Sequence, residues 1–164
     1  MPSARIDLLL VLLGSAAVIG GALLFQYVGG LAPCELCLLE RWPYYIGMPL
    51  AVLVILAGGQ RNLLIGGSAL VMLLFLASSG LAFYHVGVEQ HWFAGPTACT
   101  GGSTGAKSLE DLRAQLMATK PVRCDEPQWT LFGVSLAGFN LLASLVLMVL
   151  AILALRDARG RRTA

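Results

Sequence analysis

The chain has 164 residues, 57% of them hydrophobic and 12% charged, with a formal net charge of +2. That leaves too little polar surface for a soluble globule of this size and places the chain in a lipid bilayer. No repeat and no soluble second domain interrupts it, so residues 1–164 read as one transmembrane domain.

A membrane-crossing helix needs about 20 mostly apolar residues to span roughly 30 Å of hydrocarbon. Four segments meet that length, at about 8–28, 38–56, 63–84 and 131–155. The first follows Arg5 and carries Gly14, Ser15, Ala16 and Ala17, features that secretory signals share. Its apolar run is too long for a typical signal core and further spans follow, so it reads as a retained helix. A loop over about 29–37 leads into the second span through Cys34-Glu-Leu-Cys37, just after Pro33. The third span opens into a long loop over about 85–130. Within it, residues 96–105 are Gly- and Ser-rich around Cys99, a flexible-linker composition. Residues 108–118 follow, with Ser108 as N-cap, acids in the first turn, and Leu109, Leu112, Leu116 and Met117 at helical spacing. This predicts a short amphipathic helix lying on the membrane surface. Cys124 comes shortly before the fourth span.

The basic residues near span ends set the orientation. Arg156, Arg159, Arg161 and Arg162 crowd behind the fourth span, with Arg5 and Arg61 on the same side, against Arg41, Lys107, Arg113, Lys120 and Arg123 on the other. The expected fold is therefore an all-α bundle of four transmembrane helices, both termini inside, with the cysteine-bearing loops facing an oxidising outer compartment. All Phe, Tyr and Trp residues except Phe75 and Phe139 fall near the outer helix ends or in the long loop. Most read as an interfacial belt, and a few as walls of a lipid-phase ligand site.

The C-x-x-C at a helix entrance favours a thiolate, the form that attacks disulfides and leaves from them. A zinc site would need Cys99 and Cys124, or His85 and His91, to complete it, and the spacing lacks a second tight pair. No resident metal is expected. Two structural disulfides are the other reading, but bridging Cys34 to Cys37 adds little to a helix bundle, so redox exchange explains that pair better. Arg41 shares a helix face with Cys37 by i,i+4 spacing. It reads either as a snorkelling cation or as a donor to a carbonyl of a reducible lipid-phase acceptor. No flavin or haem motif is present. His85 and His91 read as interfacial hydrogen-bonding groups or as groups tuning proton transfer to that acceptor.

Taken together, these residues resemble the DsbB family of disulfide bond formation proteins. The resemblance rests on Phe25-Gln26, Pro33-Cys-Glu-Leu-Cys-Leu-Leu-Glu-Arg41, Tyr84-His-Val-Gly-Val-Glu89, Pro96-Thr-Ala-Cys99 and Cys124-Asp-Glu-Pro-Gln-Trp-Thr-Leu-Phe-Gly-Val-Ser-Leu-Ala137. It implies a bacterial inner-membrane thiol oxidoreductase with ubiquinone or menaquinone as acceptor and a periplasmic, thioredoxin-fold, DsbA-like oxidase as donor. It also implies Cys34 and Cys37 as the quinone-facing pair, Cys99 and Cys124 as the donor-facing pair, and Arg41 as a quinone contact. Nucleic acid is not expected as a partner. On that pairing, Cys99 beside Gly101 and Gly102 is the sulfur an incoming protein reaches first, and Cys124 then attacks Cys34. Two other functions remain open at this point. One is a quinone reductase working in the opposite direction, similar to vitamin K epoxide reductases, in which the C-x-x-C lies near the last helix of the bundle. The other is a membrane scaffold with structural disulfides.

Overall fold

The computed structural model describes residues 2–57, 60–96, 108–110, 113 and 122–160. Helix α1 (Pro2–Tyr27) follows an apolar run with no internal proline. A five-residue helix α2 (Glu35–Leu39) is capped by Cys34, whose Sγ accepts the Cys37 N–H at 3.1 Å. Helix α3 (Trp42–Leu56) follows at once. The sequence predicts one continuous helix over 38–56, and the structure breaks it at Glu40 and Arg41. Pro43 is the physical reason: it has no N–H to give the Leu39 carbonyl, and its ring crowds that carbonyl.

Helix α4 (Arg61–Glu89) extends beyond the expected outer end at Tyr84 and so carries His85 and Glu89 on a rigid element. The last apolar segment begins as a two-residue hairpin rather than as helix. Strands β1 (Thr130–Leu131) and β2 (Val134–Ser135) pair antiparallel, Leu131 opposite Val134. Phe132 and Gly133 turn between them with φ of 51° and 80°, the pair of positive values a type I′ turn requires. Ser135 then accepts the Gly138 N–H at 3.1 Å and caps helix α5 (Leu136–Arg159).

The long helices pack as a closed ring, α1 on α3, α3 on α4, α4 on α5 and α5 back on α1. Leu8, Val11, Tyr44, Val71, Phe75, Leu147 and Ala151 fill its centre. A Cβ on Gly67 would overlap the Val54 side chain, so glycine sets the approach of α4 to α3. The outward faces are apolar too: Leu9, Leu13, Leu53, Leu70, Leu73, Leu142 and Val146 are all exposed. An apolar interior inside an apolar surface suits a hydrocarbon solvent.

By length and composition α1, α4 and α5 can each cross a membrane, with mean hydropathies of 2.5, 2.0 and 2.5 over their most apolar windows. Helix α3, at 15 residues, rises about 22 Å, less than the hydrocarbon thickness. At the end away from the cysteines, Arg61 donates from Nε to the Ala158 carbonyl at 3.3 Å and from Nη2 to the Arg159 carbonyl at 3.0 Å. It thereby satisfies carbonyls that the α5 terminus leaves open. Cys99 lies outside the described residues, as does the amphipathic helix expected over 108–118 apart from residues 108–110 and 113.

Candidate functional site

Cys34 and Cys37 form a disulfide, with Cα atoms 5.0 Å apart. Cys34 is buried and Cys37 half-buried. Together with Leu36, Val88 and Cys124, Cys34 forms a buried cluster against which Cys37, Tyr84 and Val122 pack. Cys124, remote in sequence, is thus brought to the C-x-x-C, and it is itself disulfide-bonded. On either side of it, Arg123 grips Asp125 through a two-pronged ion pair, Nε to Oδ1 at 3.0 Å and Nη2 to Oδ2 at 2.6 Å. These hydrogen bonds hold the Asp125 carboxyl below the usual carboxylate range.

The disulfide opens on a cavity of about 460 Å³ at the same end of the bundle. Its walls are largely apolar, from Ala17 to Phe25 on α1, Trp129 on the returning loop, and Ala137, Phe139 and Ala143 on α5. Phe25 and Trp129 pack with ring centroids 4.9 Å apart. The aromatic residues therefore divide: some are exposed, as with Trp42 and Trp92, whereas Phe25, Tyr44 and Trp129 line the cavity. Tyr44 is 1% exposed and belongs to the core, not the belt.

Arg41 lines the cavity as well, one turn along from Cys37. Its Nη1 donates to Gln26 Oε1 at 2.7 Å, which pins the guanidinium against α1. Its Nε is buried with no hydrogen-bond partner among the described residues. A buried, charged donor left open in this way costs free energy unless a ligand oxygen meets it.

A polar chain that no local spacing reveals runs inward from the disulfide. His85 Nε2 lies 3.6 Å from Cys34 Sγ, and its Nδ1 lies 2.9 Å from Glu40 Oε1. Asn140 donates to Glu40 Oε2 at 2.9 Å and accepts from Tyr44 Oη at 2.5 Å. Ser144 lies 2.9 Å from Tyr44 Oη and 3.0 Å from Ser78 Oγ. One direction satisfies every group: Tyr44 gives its only hydrogen to Asn140, so Ser144 donates to Tyr44 and Ser78 donates to Ser144. In the tautomer that donates from Nδ1, Glu40 Oε1 is the acceptor. In the neutral ring, Nε2 then presents its lone pair toward Cys34. At the rim, Ser135 donates to Glu89, which also lines the cavity.

The two histidines thus separate. His85 is 2% exposed and touches the disulfide. His91 is exposed in the turn after α4 and takes no part in the cavity wall. Of the residues singled out in the sequence, the structure gathers Cys34, Cys37, Arg41 and Cys124 at one end of the bundle. It adds Glu40, Asn140, Tyr44 and Gln26, of which Glu40 and Asn140 carried a usable signal as polar groups within apolar segments.

The family model described as disulfide bond formation protein DsbB matches residues 4–154. Disulfide bond formation protein B 1 of Pseudomonas putida is 32% identical over 161 residues, covering 94% of this chain and 92% of that protein. Disulfide bond formation protein B 2 of Pseudomonas aeruginosa is 31% identical over 160 residues, covering 94% and 90%. Disulfide bond formation protein B of Aromatoleum aromaticum is 25% identical over 147 residues, covering 88% of each. No solved structure matches. A family match over nearly the whole length, on a helical membrane protein whose C-x-x-C forms a disulfide, leads to one conclusion: the chain belongs to the DsbB family of disulfide bond formation proteins.

Proposed function

We propose that the protein is a protein-dithiol:quinone oxidoreductase of the bacterial inner membrane that reoxidises a periplasmic, thioredoxin-fold, DsbA-like oxidase. In this reading the chain is one transmembrane domain. Helices α2 and α3 together supply a fourth crossing, both termini are cytoplasmic, and the loops with the cysteines face the periplasm. The observation that carries it is the disulfide opening on an apolar cavity that Arg41 also lines, the Nε of Arg41 having no hydrogen-bond partner among the described residues. The cavity has a volume usual for a small-molecule site.

The donor's thiolate attacks Cys99 of a Cys99–Cys124 disulfide, and Cys124 leaves as a thiolate. Cys124 attacks Cys34, with which it shares a buried cluster, and Cys37 leaves. The donor's second thiol closes its own disulfide and frees Cys99. Cys99 attacks Cys124 and restores the loop disulfide, leaving Cys34 and Cys37 reduced. Ubiquinone or menaquinone, when bound, supplies the sink for two electrons and two protons that returns this pair to the disulfide. His85 Nε2 accepts the proton of the Cys34 thiol, and Glu40 and Asn140 hold the ring in that tautomer. Arg41 donates to an acceptor carbonyl and stabilises the negative charge that develops there.

The test is quinone reduction by the purified protein with a reduced thioredoxin-fold dithiol donor. Turnover is expected with the parent, and Cys34→Ser or Cys37→Ser should abolish it while the helical circular dichroism is kept. Undiminished turnover by either variant would remove the proposal.

A further inference from the structure

We infer that Cys34, Cys37 and His85 form a binding site for a divalent cation of the zinc class whenever the disulfide is reduced. The three donor atoms, two Sγ and Nε2, lie within 4.8 Å of one another. A tetrahedral zinc ion holds sulfur at about 2.3 Å and imidazole nitrogen at about 2.0 Å, which sets those two atoms about 3.5 Å apart. Cys34 Sγ and His85 Nε2 are 3.6 Å apart before any ion enters.

The surroundings of the histidine point the same way. A metal-bound imidazole needs its other nitrogen to donate, commonly to a carboxylate that fixes the ring and raises its basicity. Glu40 takes that place on Nδ1, and Asn140 orients Glu40 in turn. Charge is balanced as well: two thiolates and a neutral imidazole cancel the two positive charges of the ion, so the complex enters a poorly solvated site without a net charge of its own. All three ligands face the cavity, which leaves a fourth position for water or an exchangeable ligand. The sequence lacks a second closely spaced ligand pair because the third ligand comes from α4.

Binding moves no electrons. Reduction of the disulfide by a dithiol or phosphine yields two thiols, and the ion displaces their two protons as it binds. Because the ion binds only the reduced pair, it shifts the balance toward the reduced state and holds both sulfurs away from the disulfide geometry. The site needs only a reducible Cys34–Cys37 pair, and it stands or falls separately from the identity of the electron acceptor.

The experiment uses the full chain in detergent with Cys99→Ser and Cys124→Ser, reduced anaerobically with a phosphine and titrated with cobalt(II) and then zinc. One equivalent should bind, with a thiolate-to-cobalt charge-transfer band and intense tetrahedral d–d bands, and the oxidised protein should show neither. X-ray absorption of the zinc form should give two sulfurs at about 2.3 Å and nitrogen at about 2.0 Å. Glu40→Gln should weaken zinc about tenfold to a hundredfold, and His85→Gln should weaken it at least as much. A shell of oxygen and nitrogen alone, equal binding by the oxidised protein, or unchanged affinity in a folded His85→Gln protein would overturn the assignment.

Discussion

Nη1 of Arg41 is spent on Gln26, while Nε is buried with no hydrogen-bond partner among the described residues, and the proposed function gives that second donor to the acceptor. Arg41→Met keeps an unbranched stem and removes the fork. A charge-assisted hydrogen bond of this kind contributes about 1.5 to 3 kcal/mol, so apparent quinone affinity should fall on the order of tenfold to a hundredfold. Thiol exchange with the donor should change far less. Equal quinone affinity in the variant would make Arg41 a snorkelling cation and nothing more. Asp125 gives a pH-dependent expectation for the turn that holds Cys124. Its carboxyl is held below the usual carboxylate range by hydrogen bonds from Arg123, so the folded turn favours the ionised form. The stabilisation is present above that range and is lost as the pH falls through the depressed value. Local protection of this turn in hydrogen exchange should therefore stay flat at neutral pH and drop only in acid, and Asp125→Asn should remove the dependence. The grouping of Cys34, Cys37 and Arg41 was legible in the sequence because it is written in local spacing, whereas the approach of Cys124 to Cys34 was not. His85, Asn140 and Tyr44 from three helices meet Glu40 from the α2–α3 break, and a single sequence carries no signal for that convergence.

At the scale of the elements, hydropathy placed four apolar segments near the observed helices, but two boundaries moved where one residue overrode the apolar run. Pro43 split the second segment into α2 and α3, and that break is what turns Glu40 inward and sets Arg41 against Gln26. Gly133 and Phe132 bent the start of the last segment into a hairpin, which lets Ser135 both cap α5 and reach Glu89. Apolar periodicity cannot report either event, because both are decided by backbone geometry and not by hydrophobicity. Packing between elements yields a prediction at Gly67. An added methyl would overlap Val54, and overpacking of this kind costs about 1 to 3 kcal/mol. Replacing a helical glycine returns up to about 1 kcal/mol. Gly67→Ala should thus be destabilising by roughly 1 kcal/mol in unfolding from detergent micelles, whereas Gly66→Ala, which meets open space, should be neutral or slightly stabilising. Equal stability of the two variants would mean that α3 and α4 do not approach closely there.

Across the whole molecule, the ring of helices gathers the chemistry at one end and leaves Arg61 to close the helix termini at the other. The cavity takes its walls from α1, the α2–α3 break, the end of α4, the start of α5 and the loop that returns past Cys124. No pair of elements could build it alone, so the proposed order of thiol exchange depends on the assembled fold. Cys124 lies in the buried cluster with Cys34 and follows directly on Arg123, which the Asp125 pair anchors. Cys99 is set in a Gly- and Ser-rich stretch, a composition that suits an approach by a soluble protein. The donor should therefore join Cys99, and Cys124 should be the sulfur that leaves and passes the exchange inward. Cys124→Ala removes that step while keeping Cys99 as a nucleophile. Such a variant cannot offer the donor a loop disulfide, so the trap is set in the opposite direction, by mixing its free Cys99 thiol with a donor whose second cysteine is replaced by Ser and whose remaining cysteine is activated as an aromatic mixed disulfide, the aryl thiolate being the leaving group. A covalent complex should then accumulate, because no neighbouring thiol is placed to resolve it. Peptide mapping after acid quenching should find the donor on Cys99. A donor found on Cys34 or Cys37 would show that the C-x-x-C is reached directly, and the loop cysteines would then be a structural staple outside the path of exchange.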